Sequence, residues 1–194
     1  MKNILILKPF GPSIIKIEMS PTLVKILNNY ADEEIKKSKE KKEIVLDNEI
    51  IRKLNWINYI GTIANNWRES ESKKTIKDFS LIKTWISRQF KDQFDPVHFY
   101  NSGHISGIGY LKTPKLISNS EEDVNDESGR LSLIHGSLNV FCNSIYKIQP
   151  KVGDFYFFPS YLMNINYPFT DNDEEIRSIK FSASIDAEEM KLDK

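Results

Sequence analysis

The sequence predicts a mainly β member of the α+β class: a double-stranded β-helix of the jelly-roll, cupin-like kind, with N-terminal helices packed on one sheet. Three observations predict it. From Phe79 onward the chain falls into eight short runs rich in β-type residues. Turn formers separate those runs at Asp95-Pro96, Ser102-Gly103, Thr113-Pro114, Ser128-Gly129, Pro150 and Gly153. Ahead of them lie two segments whose apolar residues recur at helical spacing. Early helices followed by strands suit a layer of helices covering one face of a β-structure. Eight short strands at this spacing suit a jelly roll.

In chain order, residues 4–7 and 13–18 read as short strands separated by Pro9, Gly11 and Pro12. Ser20-Pro21 then offers a helix entry, a hydroxyl N-cap followed by a proline whose missing N–H is not needed in the first turn. Leu23, Ile26, Leu27 and Tyr30 share one face of that helix, which is expected to end in the charged run Lys36 to Glu43, a solvated face or loop. A second helical region is expected over 48–67, with Ile51, Leu54, Ile60, Ile63, Ala64 and Trp67 as its apolar positions. Asn55, Asn58 and Gly61 weaken it.

The expected core strands are 82–90, 105–112, 131–135, 138–142, 145–148, 154–158, 163–167 and 176–184. Alternation along a strand sends Phe155 and Phe157 to one face and Tyr156 and Phe158 to the other, so this aromatic series reads as core rather than a base-stacking platform. Asp154, after Gly153, reads as a turn residue. Residues 118–130 form an acidic, polar loop. The whole chain is expected to be one domain, with strands and helices over 1–78 and the β-helix core over 79–187.

Composition excludes several functions. Lys plus Arg and Asp plus Glu each number 27 in 194 residues, so bulk charge gives no reason to expect a nucleic acid or an anionic membrane. Cys142 is the only cysteine, which rules out an intrachain disulfide and a thiolate zinc site. The apolar N-terminal run is too short for a secretory signal, and no stretch is long enough to span a bilayer. A soluble protein, cytoplasmic when made, is the expectation.

Three segments carry a resemblance. Phe94-Asp95-Pro96-Val97-His98 leads into Ile105-Ser106-Gly107-Ile108-Gly109-Tyr110-Leu111. Pro150, Gly153-Asp154, Phe158-Pro159-Ser160 and Tyr167-Pro168-Phe169 follow, and Glu175 to Ala183 closes the series. In this order they resemble the iron(II)/2-oxoglutarate oxygenases, especially a hydroxylase family common in tailed phages of marine bacteria. The resemblance implies a metal site at His98, Tyr100 and Asn164 and a cosubstrate site at Tyr110, Arg177 and Ser178.

The chemistry needs three histidine or carboxylate ligands on one face of iron(II). His98 meets that need. Tyr100 stands where histidine or aspartate is required, and Asn164 where the distal histidine is required. A neutral phenol and an amide are poor replacements. The arginine–hydroxyl pair that clamps the cosubstrate carboxylate needs two residues of one strand parity. With Ser178 as the hydroxyl its partner is Ile176, and Arg177 faces the other way. Lys180 shares Ser178's parity and is a candidate point charge. His104 and His135 are the only other histidines from which a metal site could be rebuilt with His98.

The implied function is a degenerate oxygenase-like protein, catalytically inactive and without cofactor, serving as a binding, scaffolding or virion assembly module. A protein partner or self-association is expected, with no membrane and no nucleic acid. The alternative is an active dioxygenase using iron(II) and 2-oxoglutarate through an unusual ligand set.

Overall fold

The computed structural model describes residues 5–7, 11–114, 127–137, 143–170 and 174–186. Strands β1 (Leu5–Leu7) and β2 (Ile14–Glu18) open the chain, followed by helix α1 (Pro21–Lys37) and strand β3 (Glu43–Val45). Helices α2 (Asn48–Lys53) and α3 (Trp56–Ser72) come next. The β-region comprises β4 (Phe79–Phe90), β5 (Asp95–His98), β6 (Ile105–Lys112), β7 (Leu131–Ile134), β8 (Ile145–Ile148), β9 (Asp154–Pro159), β10 (Met163–Asn166) and β11 (Glu175–Ile185).

The helices form where their caps dictate. Ser20 Oγ accepts from Leu23 N at 3.2 Å and Pro21 occupies the first position, while Lys36 and Lys37 sit in the last turn against the helix dipole. Asp47 caps α2 in the same way, accepting from Ile50 N at 2.9 Å. The helical region expected over 48–67 is two helices. The chain turns at Asn55, whose φ of 48° lies in the left-handed region that asparagine tolerates, and α3 then runs on to Ser72.

Two antiparallel sheets result. The larger has the order β1-β2-β9-β6-β11-β4-β3 and the smaller β5-β10-β7-β8. Strand alternation gives the larger sheet two apolar faces. Ile15, Ile17, Phe155, Phe157, Ile179 and Phe181 pack with the helices through Leu27, Trp56, Ile60 and Ile63. On the opposite face Ile14, Ile108, Tyr156 and Phe158 pack with Leu131, Leu133 and Ile148 of the smaller sheet. At about 25 cal/mol per Å² of apolar area removed from water, these two layers are the main favourable term of the fold. Within the larger sheet Gly107 of β6 lies opposite Phe181 of β11, and a Cβ on Gly107 would lie 2.3 Å from the Phe181 ring, so only glycine fits there. Among the described residues no helix is long and apolar enough to cross a membrane.

Three expectations need correction. The charged run from Lys36 is not all solvated loop, because its end is β3: Ile44 is buried opposite Ile86, and Arg88 holds the carbonyls of Lys39 and Lys41. Asp95-Pro96 is not a turn but the start of β5, an edge strand, where a proline costs no ladder bond. Asp154 does more than shape a turn. Its carboxylate lies 2.7 Å from Lys16 Nζ and accepts from Tyr156 Oη at 3.3 Å, joining β2 to β9. The expected strand 138–142 and most of the acidic loop, residues 118–126, lie outside the described residues. The loop's described end is a turn pinned by a 2.5 Å pair between Glu127 and Lys147.

Candidate ligand cavity

Between the two sheets, at the β5 end, lies a cavity of about 550 Å³ lined by Trp85, Gln89, Asp95, His98, Tyr100 and Lys180, among others. A recess of about 10 Å³, room for roughly one water, adjoins it and is lined by Tyr110, Asn166, Ile176, Ser178 and again Lys180. Register explains the gathering. On β11 and β4, Ile176 lies opposite Gln89, Ser178 opposite Ser87 and Lys180 opposite Trp85, while β6 places Tyr110 beside Ser178 and Ile108 beside Lys180. Side chains directly opposite in an antiparallel pair share a face, and here that face is the interior.

Arg177 is not in the cavity. It points to the helices, where its guanidinium meets Glu175 at 2.6 Å, Asp32 at 2.9 Å and the Asn28 side chain at 2.9 Å. Glu175 is held in turn by Arg88 at 2.5 Å. Assigning Arg177 to the cosubstrate is therefore corrected: strand alternation turns it away from Tyr110 and Ser178, and its charge is already neutralised.

The positions with metal-ligand resemblance do come together. Asn164 of β10 pairs in register with His98 of β5, and the His98 and Tyr100 rings meet edge to face at 5.7 Å. His98 Nδ1 lies 2.9 Å from the Pro96 carbonyl. A carbonyl only accepts, so Nδ1 carries a hydrogen, and in the neutral imidazole Nε2 then holds the lone pair that a ligating histidine requires. The other two positions offer nothing comparable. Asn164 Nδ2 donates to the His98 carbonyl at 3.1 Å, and Tyr100 packs against Trp85 and Phe158 with ring centroids 6.0 and 6.2 Å away. One imidazole, one phenol and one amide do not fit iron(II). Among the described residues no group of three or more histidine, cysteine or acidic side chains could hold a metal.

Nor do the other histidines rebuild the site. His104 Nδ1 accepts from Ile185 N at 3.0 Å and lies 3.1 Å from Ser184 Oγ, so it latches the end of β11. The ring lines a separate cavity with Trp67 and Arg68. His135 sets its ring 6.2 Å from that of Tyr161.

Polar satisfaction in the cavity is uneven. Tyr110 is 2% exposed and, among the described residues, neither its hydroxyl nor the buried Trp85 Nε1 has a hydrogen-bond partner. Burial, with a smaller contribution from the Asp154 charge, pushes the Tyr110 phenol far above its ordinary pKa and keeps its proton in place. Lys180 is 7% exposed. Trp85, Ser87, Gln89 and Asp95 were not expected in the site from sequence. Trp85 and Ser87 become legible only once the β4–β11 register is known, because each lies opposite a candidate on β11.

Comparison with known proteins gives a consistent result. Residues 83–182, just over half of the chain, match the family described as "Putative 2OG-Fe(II) oxygenase". A prolyl-4-hydroxylase of Pseudomonas putida superposes with a TM-score of 0.60 at 11% identity, over 87% of this chain and 91% of that one. The viral collagen prolyl hydroxylase of Paramecium Bursaria Chlorella virus-1, solved with 2OG, gives 0.56 at 16% identity, over 88% and 94%. HygX of Streptomyces hygroscopicus, solved with nickel and 2-oxoglutarate, gives 0.63 at 9% identity, over 88% and 82%. At these identities the likeness shows the fold, which is the double-stranded β-helix. No curated protein matches the sequence.

Proposed function

The chain belongs to the 2OG-Fe(II) oxygenase family, and we propose that it uses the barrel as a non-catalytic binding or scaffolding module that holds no iron. One observation carries this reading: of the three positions that resemble metal ligands, only His98 presents a competent donor, while Asn164 is turned to a backbone carbonyl and Tyr100 to an aromatic cluster. Loss of two ligands leaves the first shell of the metal incomplete. The framework around it is intact.

Anaerobic titration with iron(II) and 2-oxoglutarate tests the reading. No charge-transfer absorption of chelated cosubstrate is expected up to high micromolar concentrations. A saturable band would overturn the proposal in favour of an active dioxygenase whose ligands include His98. The paired substitution Tyr100→Asp and Asn164→His restores a three-ligand set and is expected to raise iron(II) affinity by at least tenfold.

The scaffolding half of the proposal draws on β5. Alternation that turns His98 and Tyr100 inward turns Val97 and Phe99 outward, where both are about half exposed. Since β5 is an edge strand, apolar side chains and unpaired backbone groups lie together. A protein partner, a second copy or a virion component would cover this edge. Light scattering of the chain alone and with co-expressed neighbours tests it: a monomer that captures nothing would count against the scaffold.

A further inference from the structure

A second cavity, of about 290 Å³, lies outside the barrel interior, where the C-terminal half of α3 meets the ends of β6, β9 and β11. It shares no lining residue with the cavity between the sheets. Its walls are largely apolar, with Trp67, Ile105, Pro159 and Ile185 among them. Trp67 is 7% exposed, and its indole is held in place because Nε1 donates to the Ser13 hydroxyl at 2.7 Å.

Two donors of the lining lack acceptors. Arg68 Nε is buried with no hydrogen-bond partner among the described residues, which is costly for a charged group. His104 Nδ1 accepts from Ile185 N, so in the neutral imidazole the hydrogen is on Nε2, and no described residue accepts it. The acidic groups nearby do not answer Arg68. Asp186 feels its charge but accepts instead from the backbone N–H groups of Lys77 and Asp78. Glu71, one turn further along α3, also lines the cavity, but it is exposed and engaged elsewhere.

We propose that this corner cavity is a second ligand site, for a small aromatic monocarboxylate whose ring lies against Trp67 and whose carboxylate meets the Arg68 guanidinium. Nε–H and a neighbouring Nη–H of arginine form a planar fork that matches two carboxylate oxygens. His104 Nε2–H supplies a third donor. Charge limits the ligand. With Glu71 and Asp186 close by, Arg68 has attraction left for one negative charge, not for the nearly two of a phosphate monoester. Size limits it further. The cavity stands at the low end of ligand pockets, which run from about 300 to 1,000 Å³, so a single ring with a short acid fits and a nucleotide does not. The indole and the aliphatic walls favour a ring over a polar body.

The three tryptophans make the location readable. Trp67 lines this cavity, Trp85 lines the one between the sheets, and Trp56 is fully buried in the core. The test is an NMR titration of the full chain, labelled at the indole nitrogens, with benzoate and phenylacetate; Trp67→Phe assigns the signal. The Trp67 Nε1–H resonance should shift saturably while the other two stay in place. Acetate, benzyl alcohol and phenyl phosphate, which lack the ring, the charge and the single charge in turn, should each bind at least tenfold more weakly. Arg68→Met should weaken benzoate binding at least tenfold and Arg68→Lys should retain part of it. If Arg68→Met does not fold, Glu71→Gln decides: removing this exposed opposing charge should tighten binding about two- to threefold, and no gain would overturn the proposal.

Shifts at Trp85 in place of Trp67 would put the acid between the sheets and sink the corner site. So would the absence of a saturable shift up to about 10 mM. Benzyl alcohol or phenyl phosphate binding as tightly as benzoate, or binding unchanged in Arg68→Met, would do the same. None of these results touches the non-catalytic reading of the barrel, which the iron(II) titration decides separately.

Discussion

The two faces of β11 are built by different rules. Toward the helices stand Glu175, Arg177, Ile179, Phe181 and Ala183, and every one is buried among matched partners: apolar rings and aliphatics, or a closed ionic network. Toward the cavity stand Ile176, Ser178 and Lys180, beside a Tyr110 hydroxyl that has no hydrogen-bond partner among the described residues. Residues one step apart on the same strand thus differ in what holds them. A complete face is a structural solution. An incomplete one carries a cost, since buried polar groups are otherwise almost always paired.

The largest test of this contrast is Phe181→Ala. Phe181 is fully buried and meets Phe155 and Phe157 with centroids 5.9 and 4.9 Å away. Removing it should cost about 3–5 kcal/mol, because the tightly packed ring contacts cannot collapse to fill the void. Urea denaturation reads this directly, and a loss under 1 kcal/mol would mean that the helix-facing layer is not the tight one.

Arg177→Met comes next. It leaves Glu175 buried, but Arg88 still holds that carboxylate, so the expected loss is about 2–3 kcal/mol, below the usual range of about 3–5 for breaking a buried pair. A loss under 1 kcal/mol would reverse the assignment of Arg177 to the structural face.

These assignments show how much of the chain its sequence discloses. Strands β2, β4, β6, β9 and β11 were legible because they are central and apolar on both faces or rich in aromatics. β3 and β5 were not. β3 has a single buried residue, Ile44, between exposed Glu43 and Val45, so no alternation survives to be read. β5 begins with Asp-Pro, a turn signal whose steric logic also suits an edge strand. That His98, Tyr100 and Asn164 come together was legible because each sits within a motif of the resemblance. Trp85 was not, because it lies far from Lys180 in sequence and meets it only through the β4–β11 register.

A smaller effect is expected at the C-terminal end of β11, where the chain leaves the sheet. Burial pushes the Asp186 carboxyl up, but the backbone N–H groups of Asp78 and Lys77 donate to it at 3.0 and 2.9 Å, and the Arg68 and Lys77 charges add to them, so its pKa falls below the ordinary value. A depressed pKa contributes stability above the unfolded-state value, about 3.9, and that contribution is lost as pH falls through the folded-state value. Asp186→Asn keeps an acceptor oxygen but not the charge, and should cost about 1 kcal/mol at pH 7. The gap between wild type and variant should close below about pH 4. A gap independent of pH would show that geometry alone, not charge, holds this end of the strand.

The smallest expected change in stability is the most telling one. Lys180 is as buried as Arg177 and lies on the same strand, so burial alone predicts similar damage from replacing either residue with methionine. Their partners predict otherwise. Arg177 loses three partners at its guanidinium, whereas Lys180 loses none among the described residues, and methionine keeps most of the aliphatic stem against Trp85 and Ile108. Removing an unpaired buried charge relieves its desolvation penalty, so Lys180→Met should leave unfolding stability within about 0.5 kcal/mol of wild type or raise it by about 1 kcal/mol. If Lys180→Met instead destabilises by 2 kcal/mol or more, Lys180 has a structural role and the contrast between the two faces of β11 is lost.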